Sequence, residues 1–237
     1  MKKHIPNFLT LMNLYCGCMA IGNGYENQLD NVAVLIFAAL IFDYLDGMVA
    51  RMLQVHSEIG KQLDSLADVV SFGVVPGVVA SRLMLNALET TPSHGNYFGY
   101  FLLVIPFIIP MFSALRLAKF NIDTRQSDSF IGVPTPANTM LWVSLPLILL
   151  HDTYNLSSII LNPNFLIVLI LLTSYLLVAE IPLFALKFKN FGWADNKIRF
   201  IFLGITAVLI SIFLYAAIPL IIFLYIILSL LNNVKSK

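Results

Sequence analysis

Residues 42–76, FDYLDGMVARMLQVHSEIGKQLDSLADVVSFGVVP, place four aspartates inside an otherwise apolar chain. Asp43 and Asp46 are three positions apart, and Asp64 and Asp68 are four apart. With about 3.6 residues per turn, both spacings put two carboxylates on one face of a helix, one turn above the other. Two such pairs on facing helices gather four acids. Ionisable groups are rare in a membrane, and neighbouring like charges disfavour each other's ionisation, so something positive belongs among them. Carboxylate oxygens select hard divalent cations of the magnesium, manganese or calcium kind.

The rest of the chain sets this stretch in a bilayer. Of its 237 residues, 59% are hydrophobic and 11% charged, and the mean hydropathy is +0.85. A soluble domain of that size cannot hide so much apolar surface, so the composition predicts an all-α, polytopic transmembrane bundle. No nucleic-acid partner is expected. Cys16 and Cys18, one residue apart in an apolar run, read as buried thiols. Lys2 and Lys3 before the apolar run from Phe8 resemble a signal peptide, but no small-residue cleavage site follows, which favours a retained first span. No repeat or low-complexity segment divides the chain, and residues 1–237 read as a single membrane domain.

A hydrocarbon layer of about 30 Å takes roughly 20 apolar residues of helix. By that ruler there are about eight spans: Phe8 to Ile21, Asn31 to Leu53, Leu63 to Ala87, Tyr97 to Lys119, Pro134 to Leu150, Pro163 to Leu186, Ile198 to Tyr215 and Ala217 to Leu231. The short Tyr215 to Pro219 corner leaves the count open between six and eight. With eight, Lys2, Lys3, Arg51, Lys61, Arg116, Lys119, Arg125, Lys187, Lys189, Lys197, Arg199, Lys235 and Lys237 fall on one side. Glu26, Asp30, Glu89 and Asp152 fall on the other, and Arg82 alone breaks the pattern. Cytoplasmic loops collect Lys and Arg, so both termini and the aspartates are expected on the cytoplasmic side of the inner membrane. Asp43 precedes Arg51 by eight residues, or about 12 Å of helical rise, which puts the acids just below the headgroups. Asp64 and Asp68 are expected in the first turns of their helix, where the dipole favours anions.

Between the acids lie Gly47, Ala50, Arg51 and Gly60, giving D-x-x-D-G-x-x-A-R, eight residues, then G-x-x-x-D-x-x-x-D. This resembles the signature of the CDP-alcohol phosphatidyltransferases, with every fixed position filled. The resemblance implies that Asp43, Asp46, Asp64 and Asp68 hold two divalent ions, Mg2+ or Mn2+, which bind the diphosphate of a CDP-linked lipid. It further implies that Asp68 is the general base activating an alcohol and that the protein is a homodimer. Gly47 allows a nucleotide close to the helix, and Arg51, four residues on, can donate two bonds to phosphate. Asn7 and Thr10, near the mouth of the first span, are candidates to bond cytidine or its ribose.

The acceptor has to be sought elsewhere. The runs I-P-N-F-L-T-L-M-N-L-Y-C-G from Ile5, D-S-L-A-D-V-V-S-F-G-V-V-P from Asp64, R-L-A-K-F-N-I-D from Arg116 and G-V-P-T-P-A-N from Gly132 look like those of the membrane-embedded phosphatidylserine synthases. That resemblance implies transfer from CDP-diacylglycerol to the hydroxyl of L-serine, with CMP released. Serine's carboxylate needs a cation, which Arg116, Lys119 or Arg125 can supply, and Asn121 lies in the same run. Glycerol 3-phosphate, inositol phosphate and an ether-lipid donor are alternatives within the same chemistry. A divalent-cation transporter is the alternative from another class, though no second acid-bearing half is visible. Glu180 reads as a partner for Lys187 or for backbone freed by Pro182, and the four histidines lack metal-ligand spacing.

Overall fold

The computed structural model describes residues 4–55, 57–90, 101–123, 129–152, 154–184 and 192–235, and they are mostly helical. The helices are α1 (His4–Tyr25), α2 (Leu29–Met52), α3 (Glu58–Val69), α4 (Val75–Glu89), α5 (Ile108–Ile122), α6 (Thr135–His151), the short α7 (Ser157–Ile160), α8 (Pro163–Val178), α9 (Trp193–Phe213) and α10 (Ala217–Lys235). Each of the eight anticipated stretches overlaps at least one of these helices. Among the described residues, five stretches are long and apolar enough to cross a membrane: His4–Tyr25, Leu29–Met52, Glu58–Glu89, Ile105–Ile122 and Asn196–Asn232. The last folds back on itself at Leu214, where φ is +47°, and the rings of Phe202 and Tyr225 lie 5.7 Å apart across the two arms. Two antiparallel arms, α9 and α10, therefore occupy the stretch on either side of the Tyr215 to Pro219 corner.

The helices that carry the acids meet through residues without bulk. Thr10, Asn13, Gly17, Ala20 and Gly24 form a buried seam along α1. A side chain at Gly17 would put its Cβ 3.0 Å from the Cα of Ser71, so glycine is what lets the two backbones approach. Ser71 seals the contact by donating its hydroxyl to the Asn13 carbonyl at 3.0 Å.

Between α3 and α4 the backbone widens into a π turn at Val70–Val74. Pro76, at the start of α4, has no N–H, so the Phe72 carbonyl cannot receive the bond a regular α-helix would supply. Thr139 of α6 donates its hydroxyl to that carbonyl at 2.9 Å instead. The proline thus breaks the ladder without leaving a buried carbonyl unsatisfied.

Several expectations change. Cys16 is buried as expected, whereas Cys18 is exposed. The third helix begins at Glu58, capped by Ser57, five residues earlier than expected. Asp64 and Asp68 consequently lie well past its first turn, beyond the help expected from the helix dipole. The sixth stretch leaves the helix at Val178, since Pro182 disfavours continuation, and runs into a strand, β2 (Pro182–Phe184). This pairs antiparallel with β1 (Ser129–Ile131), a ribbon the all-helical expectation did not contain. Glu180 therefore sits in the connection after α8 rather than inside a span; Lys187, one of its expected partners, lies outside the described residues.

Candidate active site

The acid site is assembled by α1, α2 and α3. On α1, Thr10 and Asn13 are buried and spaced to share one face. Thr10 donates its hydroxyl to Asp46 Oδ2 of α2 as well as to its own Pro6 carbonyl at 3.1 Å. Asn13 donates Nδ2 to Asp68 Oδ1 of α3 at 3.2 Å. Asp43, Asp64 and Asp68 each offer a carboxylate oxygen, and these oxygens lie within 4.8 Å of one another. Asp46 stands beside this trio, turned toward Thr10 and lining a neighbouring cavity.

Three carboxylates so close together, with no side chain of opposite charge bonded among them in the described structure, fit a hard dication. All-oxygen donors suit magnesium, manganese or calcium and disfavour softer metals.

The cavity, about 200 Å³, opens beside the trio. Asn7, Thr10, Gly47, Ala50 and Gly60, all expected at a nucleotide site, line it together with Asp46 and Asp64. Gly60 also accounts for the local packing: its N–H is capped by Ser57 Oγ at 3.2 Å, and a Cβ there would stand 3.1 Å from Asn7 Oδ1. Arg51 lies at the exposed rim, folded back so that one guanidinium nitrogen would be 3.4 Å from a Cβ at Gly47. The cation that lines the cavity is Lys61, which the sequence marked only as a topological charge. Its place directly after Gly60, between the acid pairs in the chain, was the available signal.

The expected acceptor residues separate. Arg116 is buried, near enough to Asp68 for their charges to attract, with its guanidinium 5.8 Å from the Phe120 ring centre. It borders a cleft of about 40 Å³ with Lys119, Ile131, Leu177 and Glu180. Asn121 instead ties α5 to α3, donating Nδ2 to Ser65 Oγ at 2.8 Å and accepting from Lys61 Nζ at 3.2 Å. Arg125 lies outside the described residues.

A sequence profile of the CDP-alcohol phosphatidyltransferases matches residues 3–186, a span holding every residue of the acid site, the cavity and the cleft. The chain belongs to the CDP-alcohol phosphatidyltransferase family. Helices α9 and α10 lie beyond the shared region. Among similar proteins of this family is one from Bacillus subtilis named CDP-diacylglycerol--serine O-phosphatidyltransferase, 33% identical over 189 residues, covering 80% of this chain and 92% of that protein. A Helicobacter pylori protein of the same name is 38% identical over 152 residues, covering 63% of this chain and 59% of its own length. An archaetidylserine synthase from Methanothermobacter thermautotrophicus is 31% identical over 135 residues, 56% of this chain and 53% of that one.

Proposed function

We propose that this phosphatidyltransferase moves the phosphatidyl group of CDP-diacylglycerol to the hydroxyl of L-serine, giving phosphatidylserine and CMP. The observation that carries the reading is the juxtaposition of the Asp43, Asp64 and Asp68 carboxylates with a cavity lined by Asn7, Thr10, Gly47, Ala50 and Gly60. The names of the relatives support serine as acceptor, and the archaeal relative supports an ether lipid as a second donor class.

Asp43, Asp64 and Asp68, with Asp46 adjoining, would hold magnesium or manganese, and two dications would neutralise the diphosphate and the leaving phosphate. The protein's own residues do the rest. Asn7 and Thr10 bond the nucleoside head, while Gly47 and Ala50 keep α2 low enough for the diphosphate to approach. Lys61 and Arg51 draw phosphate oxygens from the cavity and its rim. Asp68, oriented by Asn13, accepts the serine hydroxyl proton as that oxygen bonds to the lipid-bearing phosphorus. The bond from this phosphorus to the bridging oxygen breaks in line, and CMP departs. Arg116 of α5, whose charge is felt at Asp68, holds the carboxylate of serine.

The helices are proposed to form eight spans, with both termini and the site on the cytoplasmic face of the inner membrane. The end that gathers Arg51, Lys61 and Lys119 then faces the cytosol. A homodimer is proposed on the family resemblance. Purified protein incubated with CDP-diacylglycerol, manganese or magnesium, and serine, glycerol 3-phosphate or inositol phosphate in parallel should release CMP and form phosphatidylserine with serine. Release with glycerol 3-phosphate and none with serine would overturn the acceptor.

A further inference from the structure

Arg116, at the edge of the cleft, is one of several residues with buried polar atoms that have no partner. Arg116 Nε, Thr135 Oγ1, Asn138 Nδ2 and Ser174 Oγ all lack a hydrogen bond. Their residues are only 7%, 1%, 2% and 1% exposed. Buried polar groups are normally paired, so four orphans in one region imply a polar occupant.

They share a region because the fold aligns them by depth. Thr139 of α6 bonds the Phe72 carbonyl of the π turn, and Ser113 of α5 packs on Gly73 there, where a Cβ would lie 3.1 Å from Ser113 Cβ. One turn toward the proposed cytoplasmic end from these contacts are Thr135 on α6, Arg116 on α5 and Asp68 on α3. Arg116 and Asp68 are close enough at this level for their charges to attract. The Val133 N–H to Leu176 carbonyl bond, 3.0 Å, then holds the start of α6 against α8, which carries Ser174, while Leu177 borders the cleft.

We infer that Thr135 and Asn138 are acceptor-binding residues, completing with Arg116 a pocket for the carboxylate of the amino-acid acceptor next to Asp68. The donor chemistry selects that group: Arg116, Asn138 and Thr135 offer a guanidinium N–H, an amide N–H and a hydroxyl, the set that a carboxylate's lone pairs satisfy and an ammonium group does not. The inference rests on the serine reading above.

Thr135→Val and Asn138→Leu keep the shape and remove the donors. Were these orphans merely structural, such changes would leave stability equal or higher and kinetics untouched. As carboxylate ligands, each variant should raise KM for L-serine roughly tenfold or more while KM for CDP-diacylglycerol stays within about twofold. Each should also narrow the preference for serine over ethanolamine, which lacks the carboxylate. Thr135→Ser, which retains the hydroxyl, should keep KM near that of the parent protein, and remains testable if the valine variant does not fold. Unmoved KM for serine in folded variants, or equal rises in both KM values, overturns the inference while serine turnover by the parent protein stands. A parent protein that releases no CMP with serine overturns the function and this pocket together.

Discussion

Asn13 and Asp68, 55 positions apart in the chain, meet across 3.2 Å, with the amide of α1 donating to the carboxylate of α3. Asn13 is wholly buried and its position is held by Ser71, so the carboxylate is aimed by a rigid neighbour. Groups that orient a metal-binding carboxylate matter nearly as much as the carboxylate itself.

Asn13→Leu should therefore lower kcat about 10- to 100-fold and raise the metal concentration needed for half-maximal rate. Steady-state CMP release across a manganese titration reads both. A variant with normal kcat and normal metal requirement would show that Asn13 only packs.

Asp68→Asn removes the proton acceptor while keeping the size of the side chain. Turnover should fall by roughly 10²-fold or more, the usual worth of a positioned base, with melting temperature in detergent little changed. Near-parental activity would take Asp68 out of the base role.

Chelation tests the carboxylate trio. EDTA should abolish CMP release, and manganese or magnesium added in excess should restore it. Because a ligand bound only to the folded state stabilises it, saturating metal at about 100 times its Kd should add roughly 2.7 kcal/mol. Full activity after exhaustive chelation, with no thermal shift on adding metal, would contradict the trio as a metal site.

The π turn offers a paired test of stability. Thr139→Val strips the Phe72 carbonyl of its donor and should destabilise the protein by about 1–2 kcal/mol. Pro76→Ala in that background returns a backbone N–H to the same turn and should recover part of the loss. Denaturation midpoints of the two single variants and the double variant decide it; strictly additive losses would mean the two residues do not serve one carbonyl.

Gly17→Val would drive a branched side chain into the Ser71 backbone, where even the Cβ is 3.0 Å away. Separation of α1 from the π turn should cost about 1–3 kcal/mol and pull Asn13 off Asp68, lowering activity too. Gly22→Val, on the same helix with open space around its Cβ, is the control and should leave both unchanged.

Much of this was legible before any coordinates. The helical character of the apolar stretches, the corner near Tyr215 and the acid pairs are local periodicities, and the helices, the corner and the acids lie close to where the chain placed them. The β1–β2 ribbon and the π turn were not legible, because their causes are distant in sequence. Pro76 alone reads as a break, and only Thr139, reaching over from another helix, turns it into a stable widened turn. The role of Lys61 was hidden for a similar reason, since a basic residue between two spans looks the same whether it lines a cavity or faces water.

Spacing along a helix determines which side chains share a face, and so the chain itself specified the acid pairs and the glycine-bearing motif that marks the family. Which members of those pairs converge depends on how three helices cross, and that is set by contacts such as Gly17 on Ser71 and Gly60 on Asn7. Tertiary packing therefore brought Asp43, Asp64 and Asp68 together, turned Asp46 toward Thr10, and buried Thr135, Asn138 and Arg116. Periodicity is a property of one helix, whereas convergence belongs to the distances between helices.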